Sequence, residues 1–124
     1  MYHRRLDTIA TFDWAVRAGS TSSDYGRGIA SFADGSAVVT GYFAGTASFG
    51  AAGSLTSAGG ADIFVAKVSS TGGWEWAVRA GGTSYDSGWG IASFADGSAV
   101  VTGYFYGTAS FGAAGSLTSA GGAD

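Results

Sequence analysis

The chain has 124 residues, of which 46% are hydrophobic, 15% aromatic and 12% charged, enough apolar material for one domain core and too little charge for a chain kept open by self-repulsion. Six basic and nine acidic side chains leave a net charge of −3, which gives no electrostatic reason to expect nucleic acid or an anionic membrane as partner. With no cysteine there is neither a disulfide nor thiolate chemistry, no run approaches the roughly eighteen apolar residues of a membrane helix, and Met1 to Asp7 lacks the apolar stretch of a signal peptide.

Taken in chain order, Met1 to Phe12 shares a pattern with Ile63 to Trp74: Tyr2 answers Phe64, Arg5 answers Lys67, Leu6 answers Val68 and Phe12 answers Trp74. From Asp13 onward the likeness becomes near-identity, for residues 13–62 and 75–124 differ at only six of fifty positions: Asp13/Glu75, Ser20/Gly82, Ser23/Tyr85, Tyr25/Ser87, Arg27/Trp89 and Ala44/Tyr106. The chain is therefore two copies of a 62-residue unit.

Within each copy the elements read as strands. Ile29 to Phe43 holds two β-rich runs around an Asp34-Gly35 turn, a strong hairpin signal, and Ile91 to Phe105 repeats it around Asp96-Gly97. Thr46 to Gly60 is rich in Gly, Ala and Ser and reads as a long surface connection with room for one short hairpin. Ile63 to Val68 and Trp74 to Arg79 form a second hairpin, with Phe64, Ala66 and Val68 alternating against Ile63, Val65 and Lys67. Four antiparallel strands per copy follow, and glycines this frequent leave no helical period. The expected fold is all-β, made of propeller or solenoid units.

Three motifs in fixed order, Gly81-Gly-Thr-Ser-Tyr-Asp-Ser-Gly-Trp-Gly-Ile-Ala92, Asp96-Gly-Ser-Ala-Val-Val-Thr-Gly-Tyr104 and Gly60-Ala-Asp-Ile-Phe-Val-Ala-Lys-Val68, resemble the bacterial β-propeller repeats known as SBBP. The resemblance covers nearly the whole chain. It implies four-stranded blades, an extracellular or bacterial cell-surface setting, and no single activity. In the family's register the hairpins of Ile29 and Val38 supply inner strands and those of Phe64 and Trp76 outer strands. Residues 1–25 are then an outer hairpin and inter-blade loop, 26–87 a complete blade with its following loop, and 88–124 an inner hairpin with its long connection, all within a single propeller segment. Two units are too few for a ring, which takes about four to eight blades. One chain's end is thus expected to complete another's beginning, head to tail, giving a trimer or tetramer ring or a filament; the alternative is a piece cut from a longer array. The interface residues on this reading are Tyr2, Leu6, Phe12, Ile91, Val100 and Phe105.

Chemistry is sparse. His3 is the single histidine, so neither a zinc site nor a Ser-His-Asp arrangement assembles within one chain. No cofactor and no metal are expected. Asp34 and Asp96 belong to turns, Asp24 and Asp86 read as loop caps rather than calcium ligands, and Arg17 and Arg79 as structural ion-pair or aromatic-stacking partners. The differences between copies say more. Tyr85, Trp89 and Tyr106 stand where the first copy has Ser23, Arg27 and Ala44. Rings beside Ser, Thr and Asp stack on sugar faces, so these three are the candidate glycan site; the competing role is packing between blades or chains. The expected protein is a non-catalytic, self-assembling scaffold, with a carbohydrate-binding module as the alternative.

Overall fold

A computed structural model of the chain describes residues 1–6 and 10–124. The described residues are all-β: β1 (Tyr2–Leu6), β2 (Phe12–Arg17), β3 (Asp24–Ser31), β4 (Ala37–Phe43), β5 (Thr46–Ser48), β6 (Ser54–Thr56), β7 (Asp62–Val68), β8 (Trp74–Gly82), β9 (Ser87–Ser93), β10 (Ala99–Tyr104), β11 (Tyr106–Ser110) and β12 (Ser116–Ala123). The only helical turns among them are short 3-10 segments at Gly50–Ala52 and Gly112–Ala114.

The central sheet runs β12-β11-β8-β7-β4-β3 and is flanked by three two-stranded sheets, β1-β2, β5-β6 and β9-β10. Among the described residues none of these sheets closes on itself. Within the large sheet, β3, β4, β7 and β8 form an antiparallel meander, and β11 joins it through Ala109 opposite Gly82 and Ser110 opposite Gly81. The first copy has the same contact in reduced form, a bridge between Gly19 and Ser48.

The Asp-Gly turns form as their sequence dictates. Asp34 Oδ1 accepts from the Ser36 amide at 2.9 Å and its hydroxyl at 2.5 Å, while Gly35 takes φ 86°, the left-handed region a glycine enters without strain. Asp96 and Ser98 repeat the arrangement. The Thr46–Gly60 stretch forms the short hairpin for which its sequence leaves room, but it is not simply a surface connection. Its β5-β6 hairpin drives Ala47 and Phe49 into the core beside Ala18, Val39, Phe43, Phe64, Ala66, Val68 and Trp74. Phe49 packs against Phe64 and, edge-on, against Trp74.

The β1-β2 hairpin docks on this core through crossed indole bonds. Trp14 Nε1 donates to the Ser70 carbonyl at 3.0 Å, and Trp74 Nε1 donates to that of Arg17 at 3.1 Å. The hairpin is a structural counterpart of β7-β8, despite its divergence: the pair Lys67–Glu75 at 3.2 Å recurs as Arg5–Asp13 at 3.5 Å, with both partners exchanged for their homologues. On the other side of the sheet, β9 approaches β3 so closely that a Cβ on Gly28 would lie 3.1 Å from the Trp89 carbonyl oxygen. Ser93 Oγ donates to the Ser31 carbonyl along the same contact.

The core assignment yields a contrast between the copies. Phe49→Ala empties a fully buried site and is expected to cost about 3–5 kcal/mol of stability. Its counterpart Phe111 is half-buried, so Phe111→Ala in dilute protein should cost clearly less. Urea unfolding of both variants checks this, and equal losses contradict the assignment.

Candidate functional site

The repeated carboxylates are tied into the frame. Asp24 Oδ2 accepts from the Ser20 amide at 2.7 Å and closes its loop; Asp86 accepts from the Gly82 amide at 2.8 Å and the Tyr106 amide at 3.1 Å. These are the loop caps that their place before Gly26 and Gly88 suggests. The Asp34 and Asp96 carboxyls are held below the usual carboxylate range, first by the serine hydroxyl bond and then by the serine amide. Among the described residues, no three His, Cys, Asp or Glu side chains gather as a metal-binding group.

Asp62 is fully buried, and Arg79 Nη1 reaches its Oδ2 at 2.6 Å, with the Ala58 amide adding a bond at 3.1 Å. Gly81, at φ 148°, sits between two carboxylates: a Cβ there would lie 2.8 Å from Asp62 Cγ and 2.9 Å from Asp86 Oδ2. Sequence reasoning assigned Arg79 to an ion pair or an aromatic stack; the structure gives the ion pair and names its partner. The glycine is required because no side chain fits between these two carboxylates.

The three candidate aromatics are all exposed, but their contacts diverge. Trp89 stacks under the Arg27 guanidinium, 4.6 Å from Cζ to the ring centroid, and Arg27 also faces Tyr25 and Tyr42 at 5.6 and 5.5 Å. Position 27 of one copy thus meets position 89, its own counterpart, across the contact between copies. Tyr106 makes an edge-on contact with Tyr104 at 5.8 Å. Tyr85 lies over Gly60, where a Cβ would come within 2.7 Å of its ring. A cleft of about 420 Å³ between the copies is lined by Tyr85 and Tyr104 together with Ser23, Arg27, Tyr42 and Ala44; of the three candidates only Tyr85 lines it. Arg27 was not singled out from the sequence. The signal was present, since Arg27 and Trp89 are the same position in the two copies.

Five of the six candidate interface residues lie in β1, β2, β9 and β10, and Phe105 links β10 to β11. Among the described residues, β1 pairs only with β2, and β10 only with β9. Tyr2, Leu6, Phe12 and Val100 are exposed, while Ile91 and Phe105 are half-buried. No family model matches the chain and no curated protein is matched by it, so the likeness to SBBP repeats rests on the three motifs.

His3 packs edge-on against Trp74, ring centroids 5.5 Å apart, and its Nδ1 is buried with no hydrogen-bond partner among the described residues. Burial first, and then the charge of the N-terminal ammonium, lowers its pKa from the ordinary 6.5, because both disfavour the imidazolium. As pH falls the unfolded chain takes up this proton before the folded one does. The stability from His3 packing is therefore complete above about pH 6.5 and declines below it, towards the lowered folded pKa. Between about pH 7.5 and pH 5.5 the urea midpoint of the native chain should fall further than that of His3→Phe. Equal falls in the two proteins mean that His3 does not carry the effect.

Proposed function

We propose that the protein is a non-catalytic, self-assembling scaffold of β-propeller type, whose chains join head to tail through shared four-stranded blades. One observation carries this reading: corresponding positions are buried where a neighbouring strand exists and bare where it does not. Val38 is 0% exposed and Val100, in an identical strand, 55%; Phe64 is 0% exposed and Tyr2 63%; Val68 is 1% exposed and Leu6 59%; Trp74 is 5% exposed and Phe12 55%. Apolar surface and open strand edges at both ends of one chain favour association, each contact being of the heterologous type. The β3-β4-β7-β8 meander supports the blade, and the motif order supports a bacterial surface setting. Three chains make a ring of six blades, four make eight, and failure to close makes a filament.

Carbohydrate binding is the second reading, favoured by the exposure of Tyr85, Trp89 and Tyr106. The stacking of Trp89 on Arg27 supports packing between copies as the main role of that ring.

Light scattering on the purified chain should give a mass of three or more copies, and deletion of residues 1–12 should dissociate or aggregate it. A well-folded monomer, or an oligomer unchanged by the deletion, overturns the scaffold reading. Trp89→Ala separates the second reading from the first. Loss of binding on a glycan array with the oligomer intact supports a sugar site, whereas loss of the oligomer with no glycan bound by the native chain supports packing.

A further inference from the structure

The free edge of β10 borders a groove of about 380 Å³ lined mainly by apolar side chains, among them Ile63, Val65, Ala80, Val101, Phe105 and Phe111. Sixty-two residues earlier, Ala18, Val39, Phe43 and Phe49 occupy the places of the last four, and all are buried against Phe64, Ala66 and Val68 of β7. The groove is thus the second copy's version of the seat that β7 fills in the first. The strand that corresponds to β7 elsewhere in the sequence is β1. In its own chain β1 lies on the far side of the meander, its His3 ring beside Gly26 of β3, so a β1 that reaches the groove belongs to another molecule.

Charge supplies a second, independent argument. Arg79 and Asp62 form the ion pair, buried on its carboxylate side, that joins β8 to the start of β7. Their counterparts are Arg17 on β2 and Asp124. Asp124 is already held as Asp62 is: its amide and carbonyl exchange bonds with Phe105 at 3.0 and 2.9 Å, as Asp62 pairs with Phe43, and its Oδ2 accepts from the Ala120 amide at 3.0 Å, as Asp62 accepts from Ala58. A carboxylate therefore stands at the head of the groove in the pose that receives an arginine in the first copy.

We propose that a second copy of the chain lays its β1 antiparallel along β10, in the register that β7 keeps with β4. The inference rests on the self-assembly reading and specifies its contact. From the pairs Ala37–Val68, Val38–Lys67, Val39–Ala66, Thr40–Val65 and Gly41–Phe64, Ala99 comes opposite the partner's Leu6, Val100 opposite the partner's Arg5, and Val101 opposite the partner's Arg4. Thr102 comes opposite the partner's His3 and Gly103 opposite the partner's Tyr2. The partner's Tyr2, Leu6 and Phe12 take the seats of Phe64, Val68 and Trp74, and the partner's Arg17 meets Asp124.

Two substitutions make this contact looser than its template. Arg4 stands in place of Ala66, and it enters already stacked on its own Tyr2 and Phe12 rings, 4.3 and 4.7 Å from their centroids. Ala10, at φ 62°, stands in place of Gly72, where a Cβ would lie 2.8 Å from the Trp14 ring. Trp76, the counterpart of Trp14, must tilt away from the partner's Ala10 at the outer rim. Register is accordingly fixed by the inner strand pair and the ion pair.

The absence of native cysteine makes cross-linking a direct test. Residues opposite one another on antiparallel strands have Cα atoms about 5 Å apart, within disulfide range, and a slip of one residue turns the side chain to the other face. Val100→Cys mixed with Arg5→Cys under mild oxidation should give a disulfide-linked pair in at least about tenfold excess over Val100→Cys mixed with Arg4→Cys. In the cysteine-free chain, Arg17→Gln should weaken association at least about tenfold, since it leaves a carboxylate without its partner. Oligomers by light scattering that fail to cross-link at 100 and 5, or that cross-link better at 100 and 4, overturn the register and leave self-assembly standing. An intact association with Arg17→Gln overturns the ion pair, and with it the placement of Asp124. A strictly monomeric native chain at millimolar concentration overturns the assembly reading itself, and the register falls with it.

Discussion

A β-strand carries hydrogen-bonding groups along both of its edges, and the free energy of a sheet depends on what covers the outermost ones. In this chain that constraint sets the difference between two almost identical halves. The run Ala-Val-Val-Thr-Gly-Tyr-Phe occurs twice. As β4 it lies between β3 and β7, and most of it is buried; as β10 it has β9 on one edge only, and most of it is exposed or half-buried. Nothing in the local residues distinguishes the two. Burial here is a property of the neighbour: the same apolar residues are covered in one copy and bare in the other.

The contact between copies shows how the few differences are used. β3 and β9 come together at Gly28 and the Trp89 backbone, too close for side chains to intervene, so the residues on either side of the glycine decide what meets. Arg27 and Trp89 are complementary where two arginines repel and two tryptophans compete for one space. Gly81 plays a comparable part deeper in the fold, where its missing side chain lets two carboxylates and Arg79 share one corner. In both places a glycine lets the backbone come close, and a neighbouring charged or aromatic group supplies the specificity.

Much of the frame was legible in the sequence because it is local. The Asp34-Gly35 and Asp96-Gly97 turns, the strands on either side of them, and the alternation of Phe64, Ala66 and Val68 depend on residues within a dozen positions of one another. The β5-β6 hairpin was less so: its Gly, Ala and Ser residues carry no period of their own, and Phe49 is buried only because Phe64 and Trp74, from a distant hairpin, lie over it. The same distance hid the Arg27–Trp89 stack and the Asp62–Arg79 pair. Tyr85, Trp89 and Tyr106 stand out in the sequence as distinctive positions of the second copy, yet their surroundings are set by the packing of one copy on the other.

The Arg27–Trp89 contact also has an arithmetic side. A stack that needs a cation on one unit and an indole on the next alternates along any row of such units, so two neighbours of the same kind lack it. A row made of whole chains alternates without exception. It therefore has parity: a ring of whole chains contains an even number of units, and inserting or losing a single unit places like beside like at one point on the circumference. In a ring so assembled, a miscount would be penalised where it occurred, by the chemistry of a single pair of side chains.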